Sequence, residues 1–120
     1  MAHQSAEISP VVLLLQDPII IIDWMRILEE AGVEVRSAGS FEAASTVLGA
    51  EQGITHLVLD VGLHLGPSLS ELLDLLKKRP HTLKVIVTSD RTADMDDLPA
   101  DTVFLQKPVQ PQTLIAAVMA

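Results

Sequence analysis

Short apolar runs recur along the chain and are separated by segments with mixed polar and apolar positions. Two of the runs, Val11–Leu15 and Val85–Val87, are continuously apolar rather than alternating, which is typical of strands that helices cover on both faces. Such strands belong to parallel sheets. The pattern predicts five strands, at Val11–Leu15, Val33–Arg36, His56–Leu59, Lys84–Val87 and Thr102–Leu105.

The segments between the predicted strands carry helix start and stop signals. Asp17 and Pro18 supply an N-cap and a first-turn proline, and Gly32 ends this first helix. Ser40 caps a second helix that runs to about Ala50. The other helices are expected after a capping box at Ser68 and Glu71, as a short, mobile element within Ser89–Asp101, and from Pro111 to the chain end.

Strand and helix alternate, and each connection is long enough for a crossover. This order predicts one α/β domain, a three-layer sandwich around a five-stranded parallel sheet. The domain is expected to span residues 11–120, because residues 1–10 show no periodicity and are interpreted as a flexible lead-in. In open sheets of this kind, ligands bind beyond the carboxyl ends of the strands.

The four consecutive isoleucines of the first helix cannot all face the sheet. Helical spacing predicts a core stripe of Ile20, Trp24, Ile27 and Ala31, and Trp24 is expected to lie on the first helix rather than in the pocket at the strand ends. The opposite, more exposed side then carries Ile19, Ile22 and Met25. This apolar side is either an interface or a surface that a neighbouring helix and the segment Ala6–Pro10 cover.

Composition and charge exclude several classes of function. The chain has 16 acidic against 8 basic residues, a net charge of −8 and no cysteine. Disulfides and zinc–thiolate sites are therefore excluded, and broad binding to nucleic acid or anionic lipid is disfavoured. The apolar stretch from Val11 to Ile22 is interrupted by polar residues and a proline, so no membrane span is expected. With no sign of a secretory signal either, we expect a cytoplasmic location.

Chemically capable residues follow or end the predicted strands. Asp60 ends the third strand, Thr88 follows the fourth and Lys107 follows the fifth, while Gln16 and Asp17 follow the first. A carboxylate, a hydroxyl and an ammonium that face one another suit phosphoryl transfer, because the carboxylate attacks while the other groups hold the phosphoryl oxygens. Taken singly, each residue also has a structural interpretation, such as a turn, a strand end or a salt bridge.

The motifs at these strand ends resemble the receiver domain of bacterial two-component response regulators. The resemblance covers about residues 10–119 and implies a flavodoxin-like fold with strand order 2-1-3-4-5 and a shortened fourth helix. It is carried by Val11–Pro18, Ile27–Val35, Leu57–Asp60, Val85–Ser89 and Phe104–Pro108.

The resemblance also implies a role for each matching residue. Asp60 would accept a phosphoryl group from a histidine kinase or a histidine phosphotransfer protein, and Lys107 would hold the phosphoryl oxygens. Thr88 and Phe104 would be the switch residues, and Gly62 would lend a backbone carbonyl to Mg²⁺. Such a domain catalyses only its own phosphorylation and dephosphorylation, so it is not otherwise an enzyme.

The chain departs from the family where two acidic residues should position the metal. Leu15 and Gln16 stand there; leucine offers no ligand and glutamine one neutral oxygen. Asp17 could reach the ion through water, but its role as helix N-cap is favoured. With Asp60 nearly alone as an anionic ligand, we expect weak binding of Mg²⁺.

Three functions follow as hypotheses. The first is a phosphorelay receiver that signals by protein contact. The second is a pseudo-receiver that acts as a phosphorylation-independent binding or dimerisation module. The third, a small α/β enzyme or cofactor binder, is disfavoured because no glycine-rich loop follows the first strand. Either a kinase or a second copy of this chain could dock on the first helix.

Overall fold

The computed structural model describes residues 10–60, 74, 76–78, 83–89 and 101–120, and these residues build a parallel sheet with helices on both faces. The spatial strand order is β2-β1-β3-β4-β5, and every neighbouring pair is parallel. This confirms the predicted fold class. The strands are β1 (Val11–Leu15), β2 (Glu34–Ala38), β3 (His56–Asp60), β4 (Lys84–Ser89) and β5 (Val103–Gln106).

Three helices are described over their full length: α1 (Pro18–Glu30), α2 (Phe41–Ala50) and α3 (Pro111–Met119). Their starts agree with the sequence signals. The Asp17 carboxylate accepts a hydrogen bond from the backbone N–H of Ile19, and the Ser40 hydroxyl accepts one from the N–H of Ala43. Gly32 follows α1 with a φ of 88°, a left-handed conformation that glycine adopts without steric cost.

The continuously apolar strands contribute side chains to two separate cores, because successive side chains point to opposite faces of the sheet. Leu13 and Leu15 of β1 pack with α2 on one face, whereas Val12 and Leu14 pack with α1 and α3 on the other. Strands β3 and β4 divide their side chains in the same way. Covering both faces is what makes the central strands apolar at every position.

Strand boundaries differ slightly from the prediction. Strand β2 begins at Glu34 rather than Val33, and β5 begins at Val103 rather than Thr102. Strands β3 and β4 extend beyond the predicted ranges: β3 includes Asp60, which was expected at its end, and β4 includes Thr88 and Ser89, which were expected after it. The extension matters because a residue paired in a sheet holds its side chain more rigidly than one in a loop.

The predicted core stripe of α1 is correct at Trp24 and is displaced by one residue at the other two buried positions. The buried positions are Ile21, Trp24 and Leu28, whereas Ile20 is exposed and Ile27 and Ala31 are half-buried. Ile19 and Ile22 are exposed as expected, and Met25 is half-buried against the core. Contact with the sheet decides which side chains of α1 face the core. A run of four isoleucines does not contain that information.

Several expectations lie outside the described residues. These are residues 1–9 of the lead-in that was predicted over residues 1–10, the capping box at Ser68 and Glu71, and the short element between β4 and β5. Of the predicted third helix, Asp74, Leu76 and Lys77 are described and are helical. Among the described residues, no helix combines the length and the apolarity needed to cross a bilayer.

A buried histidine at the amino-terminal end of the sheet predicts a loss of stability in mild acid. Burial of His56 lowers its pKa below the usual 6.5, and the charge of Lys84 adds to this effect. The unfolded chain therefore binds the proton more readily, so the free energy of unfolding should fall as the pH drops below about 6.5. Urea titrations at pH 7.5 and pH 5.5 would measure this, with His56→Gln as the variant that loses part of the difference.

Candidate functional site

The carboxyl ends of β3 and β5 bring Asp60 and Lys107 together. The Lys107 ammonium donates to both carboxylate oxygens of Asp60, each at 2.9 Å from Nζ. The side chain of Asp60 is 8% exposed and that of Lys107 is 31% exposed. The Lys107 backbone is fixed as well, because its N–H donates to the carbonyl of Ser89 at the end of β4. The pairing predicted from the two strand ends is therefore present.

Thr88 lies beside Asp60 in the sheet and is fully buried. The two residues are direct partners in the register of β3 and β4. The Thr88 hydroxyl oxygen accepts a hydrogen bond from the Gln16 side-chain amide, at 3.4 Å from Nε2. The same amide nitrogen lies 3.3 Å from the Val58 carbonyl oxygen. Gln16 thus joins the ends of β1, β3 and β4.

Sequence reasoning did not foresee these contacts of Gln16. It treated Gln16 only as a poor metal ligand, whereas the side chain is buried and its amide nitrogen donates to two neighbouring strands. The only available signal was the presence of a polar residue between an apolar strand and a helix cap. Such a residue ends up buried and must find hydrogen-bond partners.

The other two residues near the end of β1 have structural roles. Leu15 is fully buried in the core between the sheet and α2, where it packs with Leu59 and Val87. Asp17 caps α1 through the N–H of Ile19, which agrees with the favoured interpretation of this residue. These contacts do not bring the side chain of Leu15 or Asp17 to the Asp60–Lys107 pair.

A cavity of about 580 Å³ opens beside the pair, between α1 and the segment that follows β5. Gln16 and Lys107 line it together with Ile20, Asp23, Trp24, Pro108 and Val109. Trp24 lies on α1 as expected, where it is buried and also lines the wall of this adjoining cavity. A four-residue spacing puts the side chains of Ile20 and Trp24 on the same face of α1.

The two remaining site candidates are Phe104 and Gly62. Phe104 lies in β5, at the edge of the sheet, and its side chain is 48% exposed, so the ring is turned outward rather than into the core. Gly62, the candidate backbone ligand, lies outside the described residues. Its part in a metal site stays a prediction.

The described side chains form a poor donor set for Mg²⁺. This ion prefers charged oxygen ligands in an octahedron. At this site both oxygens of Asp60 already contact Lys107, Leu15 has no ligand atom, and Asp17 is used as a helix cap. Within the described ranges, no group of three or more His, Cys, Asp or Glu residues is placed to hold a metal. The arrangement is instead that of a carboxylate beside a cation and a hydroxyl.

The chain is similar to known proteins in its structure. No family model matches the sequence, and no curated protein matches it either. A response regulator receiver protein from Sinorhizobium medicae WSM419 superposes with a TM-score of 0.76 at 22% identity, covering 94% of this chain and 93% of that chain.

Two other similar structures are slightly closer in sequence. A response regulator receiver domain protein (CheY-like) from Methanospirillum hungatei JF-1 has a TM-score of 0.74 at 25% identity, with 92% of this chain and 91% of that chain covered. A response regulator from Thermotoga maritima has a TM-score of 0.67 at 25% identity, with coverages of 92% and 95%. The chain therefore has the receiver-domain fold of the response regulators, and the resemblance predicted from its sequence motifs is confirmed.

Proposed function

We propose that this chain is a phosphorelay receiver that takes a phosphoryl group on Asp60 and signals by protein contact. The observation that carries the proposal is the pairing of Lys107 with both oxygens of Asp60, beside Thr88, at the carboxyl ends of three strands. Response regulator receivers of similar fold support the same class of function.

The transfer uses groups that this chain supplies. A carboxylate oxygen of Asp60 attacks the phosphorus of a partner's phosphohistidine, and a new oxygen–phosphorus bond forms. The phosphorus–nitrogen bond breaks, and its electron pair stays on the departing imidazole, which takes a proton from solvent. Lys107 neutralises charge on the phosphoryl oxygens, and the Thr88 hydroxyl donates a hydrogen bond to one of them. The product is an acyl phosphate, and its hydrolysis restores Asp60.

The proposed partners follow from this chemistry. A histidine kinase or a histidine phosphotransfer protein supplies the phosphoryl group, and its docking surface is the exposed side of α1 with Ile19 and Ile22. A cytoplasmic location suits such partners. The net charge of −8 disfavours nucleic acid as a partner. In this proposal Mg²⁺ binds only weakly, because Asp60 supplies the negative charge nearly alone.

Intact-mass measurement after incubation with acetyl phosphate and Mg²⁺ tests the proposal. We expect the wild-type chain to gain the mass of one phosphoryl group and the Asp60→Asn variant to gain none, because an amide is not nucleophilic enough to attack. A beryllofluoride titration followed by NMR would detect a product too labile for mass analysis. No response of the wild type in either measurement would refute the proposal.

A second candidate function is a pseudo-receiver that works as a binding or dimerisation module. Two contacts favour it: Leu15 is part of the core, and the Gln16 amide is bonded to Val58 and Thr88. The exposed isoleucines of α1 would then be the interface, with a second copy of the chain as one occupant. Absence of a phosphoryl adduct, together with concentration-dependent self-association in sedimentation, would support this function over the first.

A further inference from the structure

The direction of the Gln16 amide is fixed by its surroundings. The side chain is 1% exposed, so its polar atoms have little access to water. The carbonyl oxygen of Val58 only accepts hydrogen bonds, so the amide nitrogen rather than the amide oxygen must face it. Both contacts of this nitrogen, at 3.3 and 3.4 Å, are at the long end of the hydrogen-bond range.

This contact constrains the switch hydroxyl. The Thr88 hydroxyl oxygen accepts a hydrogen bond from the Gln16 amide, so the single hydroxyl hydrogen of Thr88 is directed away from Gln16 and is available for donation. Thr88 is fully buried and is the register partner of Asp60. Gln16 therefore holds Thr88 as a donor next to the residue that would carry a phosphoryl group.

The buried carboxylate of the site is already paired with a cation. One carboxylate, Asp60, pairs with one ammonium, Lys107, through both of its oxygens. Asp23, on the wall of the adjoining cavity, pairs with Arg26 at 2.9 Å. A divalent cation gives up part of its hydration shell on binding, and a charge-balanced pair offers little to compensate for that loss.

We propose that Gln16 is a positioning residue that orients the Thr88 hydroxyl in a site whose side chains do not fit a divalent cation. Its amide holds Thr88 beside the charge-balanced Asp60–Lys107 pair, and the site operates without a divalent cation. The inference rests on the proposed function, because it describes how the same site is organised. It goes further by removing the weakly bound Mg²⁺ from the site and by assigning the orientation of Thr88 to a hydrogen bond from Gln16.

A titration with Mg²⁺ alone tests the metal part of the proposal. Backbone amide signals of Asp60 and Thr88 are followed by NMR in the wild type and in two variants of equal size, Gln16→Asp and Gln16→Asn. We expect no saturable shift in the wild type or in Gln16→Asn, and a saturable shift in Gln16→Asp, which differs from Gln16→Asn by a charge. A saturable response of the wild type, or none in Gln16→Asp, would overturn the proposal.

The hydrogen bond itself is tested from both ends. Gln16→Met keeps the length of the side chain but removes the hydrogen-bond donor. In this variant the three-bond couplings that report the χ1 rotamer of Thr88 should change from values typical of one rotamer to averaged values. In Thr88→Val, which removes the acceptor, the side-chain NH₂ signals of Gln16 should shift. The second variant keeps the test valid if the first does not fold. Unchanged signals in a folded variant would contradict the role given to Gln16.

Phosphorylation by acetyl phosphate, with Mg²⁺ or with a chelator, separates this inference from the proposed function. We expect the amount of phosphorylated wild-type protein to change less than about two-fold when Mg²⁺ is chelated. The amount of phosphorylated Gln16→Asp should fall about ten-fold, which is equivalent to about 1.4 kcal/mol. A wild-type adduct that requires Mg²⁺ would refute the inference and leave the function standing. No adduct under either condition would refute the function, and the Mg²⁺ titration would still decide the inference.

Discussion

Replacing Lys107 with methionine is expected to lower the free energy of unfolding by about 2–3 kcal/mol. The substitution keeps most of the volume of the side chain but removes the ammonium that contacts both oxygens of Asp60. Asp60 is 8% exposed, so water can replace that contact only in part, and the carboxylate stays largely buried without its cation. Leaving one charge of a buried pair uncompensated is the costly way to break it.

The reverse substitution, Asp60→Asn, should cost less, about 1 kcal/mol or under. Lys107 is 31% exposed and can turn its ammonium towards water, and asparagine retains hydrogen-bonding groups at the buried position. Urea denaturation of both variants at neutral pH measures the difference. Equal losses in the two variants would show that the buried carboxylate does not depend on Lys107 for its stability.

Replacing Ile21 with alanine is expected to lower the free energy of unfolding by about 2–4 kcal/mol. Ile21 is 9% exposed and packs with Trp24 and Leu28 in the core between the sheet and α1. Alanine would remove its apolar contacts and leave a cavity that the surrounding strands can only partly fill. Thermal or urea unfolding measures the effect.

The neighbouring residue supplies the matched control. Ile22 is 74% exposed, so Ile22→Glu should change the free energy of unfolding by less than about 0.5 kcal/mol. The same variant should weaken docking on α1, because it places a charge in the exposed apolar surface. Sedimentation for self-association and a binding measurement with a phosphodonor kinase would detect this. Unfolding of Ile22→Glu, or full stability of Ile21→Ala, would show that α1 packs with a different face.

The same atoms carry both stability and the proposed chemistry at this site. Lys107 compensates the buried charge of Asp60 in the resting protein and would neutralise phosphoryl oxygens after transfer. Asp60 and Thr88 lie within paired strands, so their backbones are fixed before any ligand arrives. A site held in this way requires little reorganisation when charge develops on the phosphoryl group.

The fold could be predicted from local signals that agree with one another. The caps at Asp17 and Ser40 and the proline at Pro111 all mark the helix starts that the structure has. Continuous apolar strands predicted a sheet covered on both faces, and β1 indeed divides its side chains between two cores. These signals act over a few residues, which is why sequence alone carries them.

The meeting of Asp60 and Lys107 could also be predicted, because parallel strands place their carboxyl ends at one edge of the sheet. The full lengths of β3 and β4 could not be predicted, because their last residues are polar and resemble the start of a loop. Strand pairing across the sheet, rather than the composition of either strand, extends β3 to Asp60 and β4 to Ser89.

By itself the sequence determined the order of elements, the strand-end chemistry and the absence of acidic residues at Leu15 and Gln16. Only the tertiary structure decided which isoleucine of α1 faces the core and which way the Gln16 amide points. Four consecutive isoleucines do not show which of them faces the core, so contact with the sheet decides that Ile21 is buried. The amide is directed by Val58 and Thr88, which lie 42 and 72 residues further along the chain. Hydrogen bonds over such separations depend on the assembled sheet, because no local pattern records the position of a distant acceptor.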